Sequence, residues 1–207
     1  MSPCFIINVR NERVVLIVQV LKDELRHKIL LESEHLFLQR GYDRTSLQMI
    51  ADKVNISKSN LYHYFKNKEE LFYELTDSAA DGLKRMILRF RSMRFDLNMD
   101  AQEFRMLLTE EVLSLLLAEK YGLLLIMEQA NGPRYDNLRP VLIELIASQL
   151  VSMLADEETS PMMAQIMARN LVDGTVHILK NRVRPSEVRA GLNQLITYHT
   201  QGMHALQ

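Results

Sequence analysis

Apolar side chains recur every three or four residues along most of this chain, a period that predicts helices rather than strands. Ile29, Leu30, Leu36 and Phe37 form the stripe of a first helix, which starts near residue 22 and stops at Gly41. Leu47, Ile50, Ala51 and Val54 mark a short second helix, with Thr45 as its expected cap and Gln48 completing a capping box. Asn55-Ile56-Ser57 is long enough only for a tight turn. Ser57 can then cap a third short helix through Leu61, Tyr62 and Phe65, broken by Lys66-Asn67-Lys68. A longer fourth helix begins near Glu69 and carries Leu71, Phe72, Leu75, Leu83, Met86, Ile87 and Phe90. Five further helices are expected over 101–117, 119–130, 136–155, 160–181 and 185–203, with breaks at 131–133, at 156–160 and just before Pro185.

The fold expected is therefore all-α, with about nine helices. A three-helix front domain spans 22–68, a fourth helix over 69–92 links the parts, and a helical back domain spans 93–207. Residues 1–21 form an extension of unassigned role that fits an extended first helix or a short strand.

Composition adds three constraints. The single cysteine, Cys4, excludes an internal disulfide, and no cysteine pair is available for a structural zinc. The apolar stretch over 112–127 contains Glu119 and Lys120, whereas a bilayer span needs about 20 nearly uncharged residues. A cytoplasmic, non-membrane protein is the expectation. Net charge is -1 overall, but residues 1–95 hold 16 basic and 12 acidic side chains, and residues 96–207 hold 9 and 14. Between 44 and 68 there are five basic groups (Arg44, Lys53, Lys58, Lys66, Lys68) against Asp52 alone. A basic front is joined to an acidic back, and that front is where an anionic partner would bind.

A short helix, a three-residue turn and a second short helix under a longer first helix make a helix-turn-helix. With Leu47, Ile50, Ala51, Val54, Ile56, Leu61 and Phe65 facing inward, Lys58, Ser59, Asn60, Tyr62 and His63 fall on or near the outward side. A helix of this width fits the major groove of DNA, N-terminal residues first. Residues 41–51 (GYDRTSLQMIA) and 54–71 (VNISKSNLYHYFKNKEEL) resemble the DNA-binding domain of the tetracycline-repressor (TetR) family. The resemblance extends over roughly 25–75; beyond it, only length and helical layout are similar. Asn55 stands where the family usually has Gly, and Ser59 where it often has Gly or Ala.

The resemblance implies a homodimer that sets two third helices in successive major grooves of a partly palindromic double-stranded operator. Carried over by position, Lys58, Ser59, Asn60 and Tyr62 would read bases, while Thr45, His63, Tyr64 and Lys68 would hold phosphates. The chemistry agrees: Lys can donate to guanine, Asn can pair bidentately with adenine, and Lys68 can supply charge to phosphate. No cofactor, metal or catalytic group is expected.

The back domain would take the signal. A small apolar or amphipathic effector is expected in a pocket lined by Phe90, Phe104, Met106, Tyr121, Met127, Glu128 and His177, with Glu111 as a further polar candidate. Met167, Leu171, Gly174, Ile178, Leu192 and Leu195 are expected at a two-fold interface of the last two helices. The function expected is a repressor released from its operator by the effector. Alternatives are an activator or protein-controlled regulator of the same fold, and an enzyme using the pocket. His177 and Asp173, one helical turn apart, would be the acid/base pair of such an enzyme, but no nucleophile accompanies them.

Overall fold

The computed structural model describes residues 9–92, 101–128, 135, 137–151 and 160–204. Among these residues the regular structure is helical throughout: α1 Val9–Arg40, α2 Leu47–Val54, α3 Lys58–Leu61, α4 Lys68–Ser92, α5 Ala101–Ala118, α6 Lys120–Glu128, α7 Leu138–Val151, α8 Ser160–Asn181 and α9 Pro185–His204. Two compact units result, Met1–Phe72 and Tyr73–Gln207. The first helix is longer than its apolar stripe suggested. Residues 9–21 continue α1 as helix, the first of the two forms expected for the extension.

In the front unit the inward positions form one core. Ile29, Leu36, Phe37, Ile50, Ala51, Val54, Leu61, Phe65, Leu71 and Phe72 are all buried, and each large member contributes about 1.5–3 kcal/mol by leaving water. Phe37, Tyr42 and Phe72 pack edge-on or tilted, with centroids 5.0–5.7 Å apart, and join the end of α1 to the start of α4. Gly41 ends α1 at φ 90°, a conformation that costs a residue with no Cβ nothing, and its N–H donates to Phe37 O at 2.9 Å.

The start of α2 differs from the expectation. Ser46, not Thr45, is the N-cap, and its Oγ accepts from the Met49 N–H at 3.3 Å. Thr45 is buried, and its hydroxyl donates to Gly41 O at 2.8 Å and to Leu36 O at 3.3 Å. The reason is the neighbouring αL turn, which leaves carbonyls of α1 needing a donor inside the unit. Two adjacent hydroxyl residues leave the cap ambiguous in a sequence, and burial resolves it.

The back unit centres on α6, where Gly122 through Met127 are all buried. Among the described residues, the helices expected over 119–130 and 136–155 are α6 over Lys120–Glu128 and α7 over Leu138–Val151. At Gly122, α6 touches α4: a Cβ there would sit 2.9 Å from Leu75 O and 2.8 Å from Ala79 Cβ. Tyr135, between α6 and α7, is also fixed to α4. Its hydroxyl donates to the Asp77 carboxylate, and its ring meets Tyr73 edge-on at 5.9 Å.

Candidate nucleic-acid interface

The turn between α2 and α3 decides what α3 can present. Asn55 adopts φ 62° and ψ 48°, and the Ile56 N–H returns to Ala51 O at 3.0 Å, closing α2 as a Schellman-type cap. Asn is the side chain that tolerates this region best after Gly. Ser57 then caps α3, its Oγ accepting from the Asn60 N–H at 3.1 Å. The regular helix ends at Leu61. Tyr62 N–H to Lys58 O, His63 to Asn60 O and Tyr64 to Leu61 O carry the chain through tighter turns to Phe65. Leu61 and Phe65 drop into the core, so the residues between them cannot.

Lys58, Ser59, Tyr62 and His63 are exposed, and Asn60 and Tyr64 are half-buried. The Lys58 ammonium lies 5.9 Å from the Tyr62 ring centroid, within cation–π range. These side chains surround one exposed helix start, alongside exposed Arg44, Lys53 and Lys66. Such an arrangement combines two amphipathic donors, Lys58 and Asn60, with a basic surround. It is suited to base edges at the centre and phosphate at the rim.

Of the residues expected to hold phosphate, Thr45 has its hydroxyl turned inward and lies outside this surface. Lys68 is half-buried and donates to Tyr42 O at 2.7 Å. It opens α4 beside a reciprocal cap: the Glu70 N–H donates to Asn67 Oδ1 at 2.7 Å, and Glu70 accepts from the Lys66 N–H at 2.6 Å.

Among the described side chains, the groups expected to line an effector pocket fall in different surroundings. Tyr121 and His177 are exposed, Glu128 is exposed and pairs with Lys180 at 2.9 Å, and Met127 is core. The side chains of Phe104 and Met106 lie outside the described residues. A groove does form elsewhere, between α4 and α5. Its lining includes Glu111 but none of the seven residues expected to line the pocket. Sequence pattern identifies amphipathic helices without showing which of their polar groups meet. Asp173 pairs with Arg139 rather than His177, and among the described residues no group of three potential metal ligands is present.

The apolar stripes of α8 and α9 face each other within one chain. A Cβ on Gly174 would lie 2.9 Å from the Leu195 methyls, and one on Gly191 would lie 3.1 Å from Ile178. Gly174, Ile178 and Leu195 thus serve the chain's own α8–α9 seam; Met167 and Leu192 are buried, and Leu171 is half-buried. The large apolar groups left outside are Met162 and Ile166 on α8 and Tyr198 on α9. Among the described residues no helix is long and apolar enough to cross a membrane.

The fold and the exposed helix start define a helix-turn-helix head. Residues 29–75 match the family model described as bacterial regulatory proteins, tetR family. Two curated relatives align over the same region. The negative transcriptional regulator IcaR of the biofilm operon icaADBC in Staphylococcus epidermidis is 34% identical over 65 residues, 31% of this chain and 35% of that protein. The transcriptional activator FasR of Mycolicibacterium smegmatis is 34% identical over 62 residues, 30% of this chain and 28% of that one. The alignment spans about a third of the length of these relatives. A TetR-like transcriptional regulator from Rhodococcus sp. RHA1 superposes with a TM-score of 0.53 at 22% identity, covering 87% of this chain and 96% of that one. That likeness extends the shared fold across the back unit.

Proposed function

We propose that this chain is a ligand-responsive transcriptional repressor that acts as a homodimer in the bacterial cytoplasm. The observation that carries the reading is the exposed start of α3, where Lys58, Ser59 and Tyr62 stand above a buried Leu61–Phe65 seam in a head that matches the tetR family model. Lys58, Asn60 and Tyr62 would read base edges. Lys68, His63 and Tyr64 would hold the backbone, with Arg44 and Lys66 added to the set. The second copy would pack on the outer faces of α8 and α9, through Met162, Ile166 and Tyr198. Binding energy from the effector would favour a back-unit state whose α4 no longer suits the operator.

Selection from a random duplex library with the full chain, followed by footprinting, tests the core of the reading. Two related half-sites about 34–36 Å apart are expected for one-turn spacing. Enrichment of no sequence would overturn it. A reporter carrying the selected site fixes the sign: expression should fall when the protein is present, and a rise would make it an activator.

A further inference from the structure

The groove between α4 and α5 encloses about 1080 Å3. It follows α4 from Ser78 to Arg89, eleven residues of helix or ~16 Å. Gly82, Met86, Leu115 and Ala118 supply its apolar floor. Gly82 is small because Leu115 lies against it, 2.5 Å from where a Cβ would be.

Most of the charges along this groove already have partners. At one end the Ser78 hydroxyl donates to the Glu119 carboxylate at 2.6 Å. At the other, Arg89 pairs with Glu111 at 2.7 Å, and Glu110 takes the guanidinium of Arg189. Arg85 stands between them and makes no ion pair among the described residues. Its guanidinium folds back over the floor, 3.9 Å from the Cβ position of Gly82. A planar cation without an ion pair among the described residues, set beside an apolar strip, favours a planar anion that carries an apolar body. Ser78, with Glu119 bonded to it, lies about two turns along α4 from Arg85, so a second negative charge at the far end of the ligand would meet a carboxylate.

We propose that this groove binds an amphipathic monoanion, with its carboxylate on Arg85 and its apolar body over Met86 and Leu115. The proposal rests on the reading of the chain as a ligand-responsive regulator and names the chemical class of its effector.

Calorimetry on the full chain tests it with four ten-carbon probes below their aggregation limits: decanoate, decanedioate, decanol and decyltrimethylammonium. Decanoate should bind at least tenfold more tightly than each of the others. Arg85→Gln should weaken decanoate at least tenfold and leave decanol within twofold, and Arg85→Lys should fall between. Because Arg85 is an exposed side chain, both variants should fold as the parent does. Equal affinity for the anionic and cationic probes, no decanoate binding, or an unchanged R85Q would each overturn the site. The same probes added to the protein on its selected duplex separate the two readings. Arg85-dependent decanoate binding with no selected duplex would sink the regulator and keep the anion site. A selected duplex with no Arg85-dependent binding would do the reverse.

Discussion

The Lys68 ammonium donates to the Tyr42 carbonyl at 2.7 Å and sits 4.0 Å from the centroid of the Tyr42 ring. The contact fastens the first residue of α4 to the segment that follows α1. Partial burial lowers the Lys68 pKa below the ordinary lysine value, while the nearby Asp43 carboxylate acts in the opposite direction. An ammonium has three donors, and Tyr42 takes one.

That geometry makes the proposed phosphate contact of Lys68 separable from its structural one. Lys68→Gln should reduce the slope of log affinity against log salt by about one, weakening specific and non-specific DNA alike. Stability should fall by about 1 kcal/mol from the loss of the Tyr42 hydrogen bond. Binding isotherms at several salt concentrations, paired with urea melts, check both. A lost kilocalorie with an unchanged slope would leave Lys68 as a purely structural group.

Thr45 gives the opposite pattern. Its hydroxyl serves Gly41 O and Leu36 O, so Thr45→Val should cost about 1–2 kcal/mol in a denaturant melt. Once the melt is accounted for, DNA affinity should be unchanged. A variant of full stability with weakened binding would restore Thr45 to the phosphate contacts.

The front unit was largely legible before the structure because its demands are local. A tight turn, two hydroxyl caps and a buried stripe at fixed spacing leave few arrangements for residues 41–71. Even there, Thr45 and Ser46 compete for one cap, and only the burial of Thr45 separates them. The back unit was legible as helices but not as contacts. Glu128 and His177 look like pocket residues on an isolated helix, yet Glu128 meets Lys180 at the surface. Gly174 and Gly191 admit Leu195 and Ile178 of the same chain. Periodicity finds the apolar face of a helix; which helix covers it depends on residues far away in sequence.

Asn55 is the one non-glycine with positive φ among the described residues. Asn55→Ala should destabilise the chain by about 1 kcal/mol, because a plain Cβ meets the following carbonyl in this conformation. Asn55→Gly should be close to neutral, easier backbone geometry being offset by greater freedom in the unfolded chain. Thermal melts of the two variants should separate by several degrees. Coincident melts would mean that the turn relaxes out of the left-handed region.

Two glycines of the back unit should respond differently to the same added methyl. At Gly122 the new Cβ meets the Leu75 carbonyl oxygen at 2.9 Å and Ala79 Cβ at 2.8 Å, neither of which can turn aside. Gly122→Ala should therefore cost about 1–3 kcal/mol by overpacking and should shift α4 relative to α6. At Gly82 the nearest atom is a Leu115 methyl, the end of a flexible side chain. Gly82→Ala gains helix propensity and should cost much less. Equal losses in paired urea melts would show that the α4–α6 contact yields as readily as a leucine rotamer.

His199 sets a pH dependence whose sign can be worked out. It is buried on α9, its Nε2 has no hydrogen-bond partner among the described residues, and desolvation pushes its pKa below the ordinary 6.5. Above that value the ring is neutral in both the folded and unfolded chain, and no proton is exchanged on unfolding. Below it the unfolded chain takes up a proton that the folded chain refuses, so stability falls as pH drops from about 6.5 toward the folded pKa. Glu34 works the other way: burial raises its carboxyl pKa, with His35 opposing, so the folded chain binds that proton more readily. The difference between parent and variant isolates the histidine. His199→Leu should remove a loss of stability that the parent shows between about pH 6.5 and 5, measured as urea midpoints across that range. Parallel midpoint curves for parent and variant would mean that the His199 ring reaches water, or a partner, in solution.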